Sequence, residues 1–346
     1  MSKRPDRQSP DYLLAPEGFP SLNETLYSAA PQDYFERRLV NLALVGSKRA
    51  ELDELLKDGF GFGALHIGPG KEQTTEEERA KTSSHFVTAE AEVLGHHVGE
   101  TLLRLYLAHR WGKAAAAPGC PWLEMSRLRS FAEFKRQVAK RFKETSRDDS
   151  DALAEVARVF YVTDRPDDFG PNLDVERWSK SLSAIEGYLR AFAVEFLDRA
   201  PLYNAAKHGF ALMPTEMSLK VAIIEQPMGP VVRYLEANPD PKDDGRTYWS
   251  EVTHWVKPDL RMLLIWIGCV LIELLWRAAT YRYVRSGREG GFKLTLFEGP
   301  AYSEAIKNSH ESLSGIELTD MSMRLHYYRE DGEASDQDGT LPTQSE

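Results

Sequence analysis

The stretch MLLIWIGCVLIELLW, residues 262–276, is apolar except for Glu273, and Arg261 and Arg277 flank it on either side. A helix that crosses a bilayer needs about 20 predominantly apolar residues, and this run is only 15 residues long. A helix of this length that is apolar on nearly every face is typical of the centre of a soluble bundle. We therefore predict that residues 258–285 form a buried helix around which the remaining helices pack.

The composition supports a sizeable core and restricts the classes of partner. The chain has 346 residues, of which 42% are hydrophobic, so it suffices for one large domain or two smaller ones. A net charge of −10 argues against a general nucleic-acid or membrane binder, although a local basic patch is compatible with it. Two cysteines exclude a disulfide framework and a Cys-rich zinc site. We expect a cytoplasmic protein with no membrane association, cofactor or metal.

Helical periodicity extends along most of the chain before and after a short region of strands. The sequence favours helices at 33–56, 84–110, 127–143, 150–162, 174–199 and 258–285. Between about 210 and 257 the pattern changes to β-branched and aromatic runs separated by Pro and Gly, which indicates an antiparallel sheet. Residues 290–299 and 316–330 read as two more strands around a helix at 303–312.

These elements predict a mainly α protein, a helical bundle with a late antiparallel β insertion and short C-terminal strands. Residues 1–30 are rich in Pro, Ser and charge and are expected to be a disordered arm. Residues 31–330 are predicted to form a single helical domain, with the β insertion at about 210–257. The acidic tail, 331–346, is expected to be disordered.

The segment YNAAKHGF, residues 203–210, places four polar side chains within six positions. We predict that it belongs to a short helix that begins near Pro201 and ends at Gly209. Helical spacing places Asn204 and His208 on one stripe and Tyr203 and Lys207 on the adjacent one. A neutral imidazole can accept a proton from a ribose hydroxyl, an ammonium can neutralise a phosphate, and an amide can orient either group. These groups suit RNA cleavage without a metal. The alternative is a polar helix C-terminus, where Lys and His stabilise the dipole.

YNAAKH resembles the HEPN superfamily signature, Arg-Asn-x-x-x-His near the start of a helix in an all-α bundle. In that family the motif helices of two protomers pair, the Arg and His cleave RNA without metal, and many members act in toxin, antiviral or RNA-processing systems. The resemblance implies that His208 corresponds to the family histidine and Asn204 to the residue after the arginine. Tyr203 occupies the arginine position, and Lys207 is the candidate replacement cation. The resemblance extends beyond the motif only to the helical surroundings, about 86–285.

A second polar set lies on the helix at 84–110. His97, Glu100 and Arg104 are three and four residues apart and share a face. Two alternatives remain open: a metal or acid–base site, or a Glu100–Arg104 ion pair with the neighbouring histidines partly solvated.

The helix at 127–143 carries the main concentration of basic residues, around an apolar stripe of Phe and Val. Its candidate RNA-binding residues are Lys135, Arg136, Lys140 and Arg141. The alternative is a solvated amphipathic face without a ligand.

Two functions follow, and the sequence leaves both open. The first is a HEPN-like RNA-binding protein or metal-independent endoribonuclease, acting as a homodimer on RNA in a toxin or antiviral defence system. The second is a non-catalytic interaction scaffold whose β insertion binds a protein partner.

Overall fold

The computed structural model describes residues 15–56, 58–62, 64–67, 75–112, 116–144, 150–207, 212–221, 224–239, 247–285, 292–299 and 322–327. The helices are α1 (Phe19–Tyr27), α2 (Pro31–Ser47), α3 (Arg49–Leu56), α4 (Glu76–His109), α5 (Pro121–Arg127), α6 (Phe131–Phe142), α7 (Ser150–Tyr161), α8 (Val175–Asp198), α9 (Ala200–Lys207) and α10 (Pro258–Thr280). The strands are β1 (Phe60–Phe62), β2 (Leu65–Ile67), β3 (Leu212–Val221), β4 (Ile224–Pro239), β5 (Thr247–Trp255) and β6 (Ser322–Tyr327). The predicted mainly α bundle with a late antiparallel insertion is confirmed.

Helix α10 is the buried helix predicted from residues 262–276. It packs against α4, α2 and α7, and a π-helical turn, Tyr281–Arg285, continues it. Within the described part of the chain, the helical stretch Pro258–Arg285 is the one whose length and composition would also suit a membrane span, and 67% of its most apolar window is buried inside the protein. Ile265, Ile267 and Leu271 are fully buried, so this apolar surface contributes to the bundle core.

Three glycines let α4, α8 and α10 approach one another closely. A Cβ at Gly268 of α10 would collide with Val98 of α4. On α4, a Cβ at Gly99 would lie 3.1 Å from the Phe192 ring of α8, and one at Gly95 would lie 2.7 Å from the Arg261 side chain. The absence of side chains at these positions therefore sets the distances between the central helices.

Helix α4 begins eight residues before the predicted start at 84, and a capping box explains its beginning. The Thr75 hydroxyl accepts from the Glu78 amide at 3.2 Å, and the Glu78 carboxylate accepts from the Thr75 amide at 2.8 Å. The predicted helix at 127–143 is interrupted at 128–130 and forms α5 and α6. Ser130 caps α6 by accepting from the Glu133 amide.

The late strands form one antiparallel sheet in the order β3, β4, β5, β6. Its inner face packs on α4 and α9 and forms a small second core that contains Leu202, Leu212, Val232, Tyr234 and Val252. The strand predicted at 316–330 is present as β6, whereas residues 292–298 form no strand, so that prediction was wrong. Phe297 is instead buried in the bundle core, and its amide bonds to the Tyr161 hydroxyl at 3.0 Å. The helix predicted at 303–312 and the tail at 331–346 lie outside the described residues.

The prediction of a disordered arm over residues 1–30 was wrong for its second half. A short 3-10 helix, Pro16–Gly18, and α1 together occupy residues 16–27. Tyr27 is buried, and its hydroxyl donates to His109 Nε2 at 2.6 Å. Proline supports these helices because Pro16 and Pro20 lie in their first turns, where no intrahelical donor is required.

Candidate functional site

Half-buried polar side chains follow one side of α4. Glu90, His97, Glu100 and Arg104 recur at intervals of seven, three and four residues, so they share one face of the helix. We call this set the α4 polar stripe. The predicted grouping of His97, Glu100 and Arg104 on one face is therefore part of a longer surface that includes Glu90.

Helix α9 brings Tyr203 onto the α4 polar stripe. The centroid of the Tyr203 ring lies 5.6 Å from that of the His97 ring and 5.2 Å from that of the His96 ring. The Tyr203 hydroxyl bonds to Glu100, and burial together with the charge of Glu100 raises the pKa of Tyr203 to about 12. Tyr203, the first residue of the YNAAKHGF segment, thus contacts the α4 polar stripe.

The remaining residues of the segment are placed only in part. Asn204 is exposed on α9, and Lys207 is the last residue of that helix, with its side chain outside the described set. His208 lies outside the described residues. A catalytic arrangement of His208, Lys207 and Asn204 therefore stays a prediction.

Glu100 and Arg104 form the ion pair that was one of the two alternatives for this face. Arg104 Nη2 lies 2.8 Å from Glu100 Oε1, the guanidinium also donates to the Leu128 carbonyl, and it lies 4.0 Å from the centre of the Phe134 ring. Arg104 thus ties the turn between α5 and α6 to α4. Among the described residues no three His, Cys, Asp or Glu side chains are grouped as metal ligands.

The histidines of α4 differ from the expectation of partial solvation. His97 is half-buried, but His96 and His109 are only 5% and 2% exposed. His96 is one residue before His97 and therefore lies on a different side of α4, the side that faces the core. Burial and the nearby Arg261 lower the pKa of His96 to about 4, and no described residue bonds to its buried Nε2.

Buried charges behind Tyr203 and His96 connect three helices. Arg261 donates to both carboxylate oxygens of Glu92, at 3.0 and 2.6 Å, and also pairs with Glu195. Although burial alone would raise it, the pKa of Glu92 falls to about 2 because Arg261 stabilises the carboxylate. Arg199 lies 4.0 Å from Glu92 and 3.7 Å from Glu195. The guanidinium groups of Arg199 and Arg261 are thus paired with Glu92 and Glu195 and do not contribute positive charge to the exposed side of the site.

Sequence reasoning missed Arg38 of α2, which reaches the α4 polar stripe from the other side. Its Nη1 lies 3.2 Å from His97 Nδ1 and 3.4 Å from the Tyr34 hydroxyl, and its Nη2 donates to Glu90. Because a guanidinium only donates, His97 Nδ1 accepts in this arrangement. The contact spans 59 residues, and no local spacing points to it.

The basic helix divides into exposed cations and one buried arginine. Lys135, Arg136 and Lys140 are exposed, and Arg136 pairs with Glu133. The prediction that Arg141 contacts RNA was wrong, because Arg141 is 4% exposed. It bonds Glu155 at 2.8 Å and Glu186 at 3.1 Å. Position 141 follows Phe134 and Val138 by seven and three residues and therefore shares their inner face.

Comparisons of this chain with protein-family models, with curated proteins and with solved structures give no match.

Proposed function

We propose that this chain is a HEPN-like, metal-independent endoribonuclease that binds RNA along the exposed side of α9 and the α4 polar stripe, as a homodimer in a toxin or antiviral defence system. The observation that supports the proposal is the packing of Tyr203 against His97 with its hydroxyl on Glu100. This packing fixes α9, which carries residues 203–207 of the motif, against a partly exposed polar surface. The sequence resemblance supplies the reaction class.

The proposed reaction uses the ribose 2′-hydroxyl as nucleophile. The His208 imidazole takes the 2′-hydroxyl proton while a bond forms between the 2′-oxygen and phosphorus. The bond from phosphorus to the 5′-oxygen breaks, and the departing oxygen takes a proton from water. The hydroxide so formed returns His208 to its neutral form. Lys207 stabilises the additional negative charge on the phosphate, and Asn204 orients it.

The test is cleavage of single-stranded RNA in the presence of EDTA. We expect the wild-type protein to yield 2′,3′-cyclic phosphate ends and to leave a 2′-deoxy oligonucleotide intact, because the deoxy substrate lacks the nucleophile. His208→Ala should reduce the rate by at least about 100-fold, the typical contribution of a general base.

The matched control is His85→Ala, which changes a histidine elsewhere on α4 and should keep the wild-type rate. Thermal unfolding of all three proteins separates loss of chemistry from loss of folding. Equal rates for His208→Ala and wild type, with both folded, would reject the catalytic assignment.

A second candidate function rests on the outer face of the sheet. Met213, Leu235 and Trp249 are 57%, 60% and 52% exposed. Leu235 pairs with Glu251 and Ala237 with Trp249, so Leu235 and Trp249 are diagonal neighbours on adjacent strands. Exposed apolar surface of this kind marks protein interaction sites. Under this candidate the same RNA assay gives no cleavage with or without divalent ions, and a stable protein complex is recovered instead.

A further inference from the structure

We propose that Arg38 is the phosphate-binding residue on the outer side of this site and that Glu90 competes with RNA for it. The inference rests on the proposed function and adds a residue, an element and a regulating ion pair to it. The ligand class is the phosphodiester backbone of single-stranded RNA.

The hydrogen-bond geometry of Arg38 leaves donors available for a ligand. Its guanidinium carries five N–H groups, and the described partners are Tyr34, His97 and Glu90. Tyr34 and His97 together use the Nη1 donors, and Glu90 uses one donor of Nη2. Among the described residues none accepts from Nε or from the second Nη2 hydrogen. The side chain is 22% exposed, so solvent and ligands reach it.

The contacts of Arg38 also hold the guanidinium in a fixed direction. His97 accepts at 3.2 Å, and the guanidinium carbon lies 5.6 Å from the centre of the Tyr34 ring. A planar guanidinium held in this way can bind a phosphate with two parallel hydrogen bonds. His97 is therefore a positioning residue for Arg38, and it also contacts Tyr203 of α9.

The other arginines around the site form ion pairs with carboxylates of the protein. Arg104 is bonded to Glu100 and Leu128, while Arg199 and Arg261 face Glu92 and Glu195. Arg38 faces one carboxylate, that of Glu90, which is itself 28% exposed. Since this pair is solvent-accessible, its attraction is modest, and a phosphate can share or replace Glu90 as the partner.

The test measures binding of a 2′-O-methyl oligonucleotide, which cannot be cleaved, by fluorescence anisotropy. Arg38→Ala should weaken binding about tenfold, the loss expected for one charge-assisted contact. The slope of log affinity against log salt should fall by about 0.7, which corresponds to one phosphate contact on a single strand. Arg38→Lys should retain the slope but recover only part of the affinity, because the planar fork is lost.

Glu90→Gln separates this role from a structural one. Arg38→Ala and Glu90→Gln break the same ion pair, so a purely structural contribution predicts that they lower stability and RNA affinity together. The proposal predicts opposite effects on affinity, with Glu90→Gln binding more tightly than wild type.

Arg37→Ala is the matched control, because Arg37 is the preceding, exposed cation of α2. If wild type binds and Arg38→Ala behaves like Arg37→Ala, or if Glu90→Gln weakens binding, the role of Arg38 is rejected and the proposed function stands. If wild type binds no oligonucleotide, the proposed function and this inference are both rejected.

Discussion

Single residues on α4 show how neighbouring positions in the sequence acquire opposite properties. His96 and His97 are adjacent, yet His96 is buried among charges that face the interior and His97 lies in the accessible polar stripe. His109, near the end of the same helix, is buried with its Nδ1 2.6 Å from the Leu105 carbonyl and its Nε2 bonded to Tyr27. Because burial lowers the pKa of each, both histidines are neutral in the folded protein at pH 7.

We expect these two histidines to make stability depend on pH in the range between 6.5 and 4. Burial lowers the pKa of each from 6.5 to about 4. The unfolded chain therefore binds more protons than the native protein, so the free energy of unfolding falls as the pH falls through this window. A full shift corresponds to about 3 kcal/mol for each histidine. Urea unfolding at a series of pH values measures it.

Variants assign this pH dependence to the histidines. His96→Gln and His109→Gln should each remove part of the slope between pH 6.5 and 4, and the double variant should remove most of it. A double variant with the wild-type slope would show that other groups cause the pH dependence.

The sequence predicts some residue environments and not others, for a physical reason. The Glu100–Arg104 pair follows from a spacing of four residues on one helix, which is local information. Arg141 and Arg38 depend on partners supplied by distant elements, Glu186 and His97 respectively. The spacing from Phe134 and Val138 places Arg141 on the inner face of its helix, but local spacing identifies the partner of neither arginine.

At the scale of elements, the packing of α10 against α4 and α8 depends on glycine rather than on the apolar side chains that reveal the helix. Gly268 faces Val98 on α4 and the Phe192 ring of α8, where an added Cβ would lie 3.2 Å from the ring. Periodicity predicts that α10 exists and is buried, but it gives no information on which neighbours approach its backbone.

Gly268→Ala is expected to lower the free energy of unfolding by about 1–3 kcal/mol, because the added methyl group overpacks a close helix contact. The higher helix propensity of Ala offsets only about 1 kcal/mol of this. The control is Gly46→Ala, where a Cβ would lie at an ordinary 3.6 Å from Val87. We expect the control to unfold at or slightly above the wild-type urea midpoint. A Gly268→Ala protein as stable as this control would contradict the close-packing interpretation.

Some element boundaries were predicted correctly, whereas others were missed, including two that local caps at Thr75 and Ser130 mark. Pro258 begins α10 and the change of period at about 210 marks the sheet, as expected. The segment at 292–298 has the alternation of a strand but is held by bundle contacts around Phe297. Tertiary packing outweighs strand propensity there.

At the scale of the whole molecule, α1 connects the start of the described chain to the end of α10. The Tyr27 ring stacks on Tyr283 with centroids 5.7 Å apart, and Trp276 Nε1 donates to the Ala29 carbonyl at 2.7 Å. The composition of residues 1–30 favours disorder, but a few buried side chains determine the outcome.

Deletion of residues 1–30 should lower the thermal midpoint and the free energy of unfolding. Loss of the buried Tyr27 alone is expected to cost about 3–5 kcal/mol, and the deletion also removes the cover of His109 and Trp276. Circular dichroism melting and urea unfolding measure the effect.

The matched control for the deletion is Val40→Ala. Val40 is 56% exposed on α2, so the substitution should change stability by less than about 0.5 kcal/mol. An unchanged midpoint after the deletion would mean that residues 1–30 act as an independent arm.

The late position of α10 in the chain has a consequence for biosynthesis. Helices α2 and α4 contact α10, yet more than 140 residues separate the end of α4 from the start of α10. Until α10 has emerged from the ribosome, Val98 and its apolar neighbours on α4 lack their packing partner, and the nascent chain exposes this apolar surface. Such long-range closure slows folding and increases exposure to aggregation. The chain is therefore expected to need chaperone protection until translation has passed residue 280.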